Sequence, residues 1–134
     1  MLTNAQLEQA RDVLERRIGL VALWLFGSEA RGTAGAGSDL DLAALFRSAP
    51  AAEDLLDAQA ELTELLGTEV DLVDLERASA ALAMQVLRHG RLFVDREPKR
   101  RARFVAAVPG RYEDLRIVRA PIERRIKERL HGRT

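Results

Sequence analysis

Gly27 and Ser28 follow the apolar run Leu20 to Phe26, and ten residues further on comes Asp39-Leu40-Asp41. A Gly-Ser pair at a strand end makes a tight, side-chain-poor turn where backbone N–H groups and the Ser28 hydroxyl can meet phosphate oxygens. The helix-like Glu29-Ala30-Arg31 adds the positive end of a helix dipole. Arg31 offers a charged contact there, or equally a surface ion pair. Asp39 and Asp41, two apart in a segment that reads as strand from Asp39 to Phe46, project from one face, while Leu40 and Leu42 point into a core. Two such carboxylates at roughly 6 Å repel by about 3 kcal/mol at an effective dielectric near 20. A divalent cation removes that conflict. Mg²⁺ takes one or two protein carboxylates and completes its octahedron with phosphate oxygens and water. These residue types at this spacing suit holding a nucleoside triphosphate and the metal ions needed to cleave it.

A third carboxylate comes from Glu69-Val70-Asp71-Leu72-Val73-Asp74-Leu75, whose alternation predicts another strand with Asp71 on the open face. Asp74 breaks that parity and lies at the start of the helical stretch Glu76 to Arg88, so it reads as a cap or surface residue.

Other elements must position these groups. A first helix is expected over Asn4 to Arg17, stopped by Gly19, then the strand Leu20 to Phe26. Pro50 precedes a second helix, Ala51 to Leu66, stopped by Gly67. A third helix ends at Gly90, and Arg91 to Asp95 form a short β segment. From Pro98 onward the pattern is helical, in two or three pieces with a break near Pro109. The expected class is α/β (α+β): a small mixed sheet with helices on one face, the other open for nucleotide, and a helical C-terminal segment. Periodicity alone fits other small α/β sheets equally.

With 134 residues, 47% hydrophobic and 31% charged, the chain reads as one domain, 1–134. It contains no cysteine, which excludes disulfides, thiolate zinc sites and a cysteine nucleophile and is compatible with a reducing cytoplasm. Met1 to Gln6 show no basic or apolar leader pattern, and the longest apolar run is seven residues, which argues against secretion and membrane spanning. Zero net charge hides an asymmetry. Residues 1–95, the expected catalytic core, carry 8 Lys or Arg against 16 Asp or Glu; residues 96–134, the basic helical tail, carry 13 against 5. The tail is expected to pack on the acidic layer rather than form a dedicated binding surface. No aromatics interleave Arg96, Lys99, Arg100, Arg101 and Arg103 to stack bases, which argues against direct nucleic-acid binding. His89 and His131 precede glycines and read as residues at helix dipole ends; Trp24 and Tyr112 read as packing residues.

Gly27-Ser28-Glu29-Ala30-Arg31-Gly32, Ser38-Asp39-Leu40-Asp41-Leu42 and Val70-Asp71-Leu72-Val73 together resemble the DNA polymerase beta nucleotidyltransferase superfamily. Within it the chain is most similar to the minimal nucleotidyltransferase (MNT) antitoxins that accompany HEPN ribonuclease toxins. Leu87-Arg88-His89-Gly90-Arg91-Leu92-Phe93, Arg103-Phe104 and Arg111-Tyr112-Glu113-Asp114-Leu115 extend the similarity over nearly the whole chain. The resemblance implies the nucleotidyltransferase fold and a cytoplasmic enzyme moving AMP from ATP to a tyrosine of a cognate HEPN toxin. Asp39 and Asp41 would hold two Mg²⁺ ions, Asp71 would complete the acceptor-side metal and take the proton, and Gly27 and Ser28, with Arg31, would seat the phosphates. Two alternatives stay open: an antitoxin that neutralises by stoichiometric binding, and an adenylyltransferase for a small hydroxylated molecule such as an aminoglycoside.

Overall fold

The structure, a computed structural model, describes residues 2–27 and 40–112. Ser28, Arg31, Asp39 and His131 lie outside them, as do the turn region 32–37 and the part of the basic tail beyond residue 112. The described elements run α1 (Asn4–Arg17), β1 (Leu20–Phe26), β2 (Leu40–Phe46), α2 (Ala52–Leu66), β3 (Val70–Asp74), α3 (Ala80–His89) and β4 (Arg91–Asp95). A last helix, α4, occupies 98–112.

The strands form one mixed sheet in the order β3-β2-β1-β4. β1 pairs antiparallel with β2 and with β4, and β2 pairs parallel with β3. Parallel pairing requires a crossover, which α2 supplies. Thr3 starts α1 with a reciprocal capping box to Gln6, and Gly67 ends α2 in the left-handed region at φ 68°. α2 also closes the outer edge of β3. Thr63 Oγ1 accepts from the Val70 N–H at 3.1 Å and Gln59 Oε1 from the Leu72 N–H at 2.9 Å, so these edge donors are satisfied within the chain.

Both faces of the sheet are covered, which corrects the expectation of helices on one face. α1 and α2 pack Leu7, Leu14, Leu62 and Leu66 against Leu23, Leu25, Leu42 and Leu72. On the other face, α3 and α4 pack Ala83, Val86 and Val108 against Val21, Trp24, Ala43 and Leu45. The cause is visible in β1, where Leu20 to Leu25 are all buried: a strand with no polar alternation needs apolar cover on both sides.

Two helix boundaries also differ from the sequence reading. α3 begins at Ala80 rather than Glu76, with the Ser79 hydroxyl accepting from the Leu82 N–H at 3.1 Å. The preceding residues form a turn around Asp74, whose Oδ1 accepts from the Glu76 N–H at 3.2 Å. Asp74 is thus a cap but not a surface residue; at 6% exposure it is the one buried charged residue among those described. α4 runs through Pro109 and Gly110 without the expected break. Proline removes one helical donor, but Val108 beside it is fully buried and anchors that turn to the core.

Three basic residues at the start of the tail fasten to the core. Arg100 donates to the carbonyls of Phe46 (3.2 Å) and Arg47 (2.7 Å), Arg101 pairs with Asp95 at 2.8 Å, and Arg96 reaches Glu15 at 3.6 Å. Glu15 collects the network. It accepts from the Leu20 N–H at 2.9 Å and pairs with Arg47. Burial raises its pKa, but the Leu20 N–H, Arg47 and Arg96 together outweigh that and hold it below 4.5.

Candidate active site

β1, β2 and β3 set one row of side chains across the sheet: Phe26 opposite Asp41, and Asp41 in register with Asp71. Register partners on neighbouring strands share a face and stand roughly 5 Å apart. Asp41 and Asp71 therefore project side by side, Asp41 half-buried and Asp71 exposed. They lie on the α3–α4 face, because Ala43 and Val73, each two residues further along its strand, pack there. Asp74 has the opposite parity and is removed from this row. Two carboxylates at about 5 Å repel by about 3 kcal/mol at an effective dielectric near 20, and hard oxygen donors at that separation suit a divalent cation. Asp39, two residues before Asp41 in the sequence, lies outside the described residues, and among those described no three His, Cys, Asp or Glu side chains cluster.

Gly27 closes the row on the β1 side. Its φ is 74°, in the left-handed region where a side chain is strained, and a Cβ there would collide with Asp41 Oδ2 and lie 3.2 Å from Asp41 Cγ. Glycine at this position is thus what lets the Asp41 carboxylate rest against the turn. That contact joins the two halves of the sequence motif, turn and carboxylate, into one site.

Beside Gly27, a cleft of about 270 Å³ opens between β1 and α3, lined by Phe26, Gly27, Leu82, Gln85 and His89. His89 ends α3, as its position before Gly90 predicts, but it also faces this cleft. Gln85 and Leu82 carry no local sequence signal of a site; helical spacing of 82, 85 and 89 on one face is the pattern that could have found them. Trp24 is 4% exposed and serves packing. No helix among the described residues is long and apolar enough to cross a membrane.

Residues 8–99, which span the mixed sheet with its paired aspartates and the Gly27 turn, match the family model described as Polymerase beta, Nucleotidyltransferase, so the chain belongs to that family. Among individual relatives, it is 40% identical over 78 residues to the protein adenylyltransferase MntA of Shewanella oneidensis, covering 54% of this chain and 52% of that protein. The chain thus spans about half the length of this relative. It is 33% identical over 92 residues to the protein adenylyltransferase MntA of Thermococcus cleftensis, covering 66% of this chain and 93% of that one. A chain in a crystal structure of a toxin–antitoxin with AMP-PNP superposes with a TM-score of 0.82 at 27% identity, over 93% of this chain and 98% of the other.

Proposed function

We propose that this protein is the antitoxin of a HEPN/MNT pair and silences a cognate HEPN ribonuclease by moving AMP from ATP onto a tyrosine hydroxyl of the toxin. The observation that carries the reading is the Asp41–Asp71 register beside the Gly27 turn. Similarity to two protein adenylyltransferases and to a toxin–antitoxin chain solved with AMP-PNP supports the donor and the kind of acceptor.

In this reading Asp39, Asp41 and Asp71 are the carboxylates that hold Mg²⁺. Bound there, Mg²⁺ supplies charge neutralisation on the triphosphate and makes an acceptor hydroxyl more acidic. Gly27 and Ser28 seat the β and γ phosphates, with Arg31 adding a charge, so that the α phosphorus lies in line with the acceptor oxygen. Asp71, exposed at the β3 end of the row, takes the hydroxyl proton as that oxygen attacks. The new bond joins the tyrosine oxygen to the α phosphorus, and the bond to the bridging oxygen breaks to release pyrophosphate. The 1–95 core carries this chemistry and the basic tail braces it, within one cytoplasmic domain.

The test separates catalysis from neutralisation by binding. A ribonuclease assay with toxin in hundredfold excess over this protein, with Mg²⁺ and ATP, should lose activity over successive turnovers. Silencing only at equimolar protein, and equally well by the Asp39→Asn, Asp41→Asn variant, would establish the binding alternative instead.

A further inference from the structure

We propose that the cleft between β1 and α3 seats the adenine of the donor nucleotide, with Gln85 reading its edge. This rests on the nucleotidyl-transfer reading of Gly27, Asp41 and Asp71. The strand order β3-β2-β1 puts Asp71 on one side of Asp41, and Gly27 with the cleft on the other. An acceptor activated at Asp71 approaches from the β3 side, which leaves the β1 side to the donor.

The lining fits a flat heteroaromatic ring. Phe26 and Leu82 are half-buried apolar walls, and both pack into the core behind them. Gln85 is exposed on α3 and contributes a carboxamide, one acceptor oxygen and one donor NH₂. Adenine presents a donor N6 beside an acceptor N7, which an amide can pair at both positions; guanine presents two acceptors, O6 and N7, and leaves the amide oxygen without a partner. His89 completes the cleft at the end of α3. Gly90, between α3 and β4, has no room for a side chain: a Cβ there would collide with the Val86 carbonyl and lie 3.0 Å from that of Leu25. The chain thus passes from α3 into β4 close against the β1 backbone, beside the cleft.

Calorimetric titration of the purified protein in Mg²⁺ with AMP-PNP, GMP-PNP and inorganic tripolyphosphate tests this without any acceptor. Wild type should favour AMP-PNP over GMP-PNP by about tenfold, the loss expected when a polar partner goes unpaired. Gln85→Leu should lose about tenfold in AMP-PNP affinity and erase the preference, while tripolyphosphate binds as before. Gln85→Trp, which fills the cleft, should weaken AMP-PNP at least as much. Because Gln85 is exposed, both variants should keep the wild-type circular dichroism spectrum. Variants that bind AMP-PNP like wild type, or lose tripolyphosphate in equal measure, would overturn the base-reading role. A wild-type protein that binds none of the three would overturn the nucleotidyl-transfer reading itself.

Discussion

Replacing Gly27 by alanine separates two costs that usually come together. At φ 74° an alanine pays roughly 1–2 kcal/mol of left-handed backbone strain. Its Cβ also meets Asp41 Oδ2, so the carboxylate has to retreat by about 1 Å, a displacement of the size that costs about a hundredfold in rate. Gly67 is the internal control. Its φ of 68° imposes the same strain, but nothing lies within 4 Å of the added Cβ. Both variants should therefore melt roughly 3–8 °C below wild type. Only Gly27→Ala should lose AMP transfer, by about a hundredfold, in a quench assay of labelled AMP incorporated into the toxin. Wild-type transfer by Gly27→Ala, at the same melting loss as Gly67→Ala, would refute the argument that this contact fixes Asp41.

Asp71→Asn should cut transfer by at least a hundredfold with little change in melting temperature, whereas Asp74→Ala should melt lower through its lost cap on the Glu76 N–H, by about 1 kcal/mol, and still transfer AMP; paired kinetics and melts check both. Glu15→Gln should cost about 1.5–3 kcal/mol in urea unfolding at pH 7, since it weakens a charged hydrogen bond and two ion pairs. The folded pKa of Glu15 lies below its ordinary 4.5, so its charge stabilises the fold above about pH 4.5, and that contribution disappears as pH falls through the lowered value. The gap between wild type and Glu15→Gln should accordingly close on acidification. Arg100→Ala should destabilise by about 1 kcal/mol, because its two carbonyl contacts on Phe46 and Arg47 are partly exposed.

Much of the site's frame was legible because local signals agreed with tertiary demands. α1 and β1 fall where the helical period, Gly19 and the apolar run place them, and strand parity separated Asp71 from Asp74 before any register was known. The one-sided helical layer failed because an unbroken apolar strand reports burial on two faces, a signal present in Leu20 to Phe26 but read only as a strand. The start of α3 was misplaced because Leu75, Glu76 and Arg77 suit a helix by type, while the Asp74 cap turns the chain and hands the helix start to Ser79. Pro109 misled in the opposite sense, since burial of Val108 outweighs the lost hydrogen bond. Helical spacing puts Leu82, Gln85 and His89 on one face of α3, but it does not say what that face borders. That the face borders a cleft depends on how α3 lands on β1, which is a tertiary outcome.

The most direct test is the intact mass of the purified HEPN partner after incubation with this protein, ATP and Mg²⁺. Mass gains in whole AMP units, mapped to a tyrosine and absent with Asp39→Asn, Asp41→Asn, are the predicted result. An unchanged toxin mass beside a stable, inactive complex would contradict protein adenylylation and leave neutralisation by binding in its place.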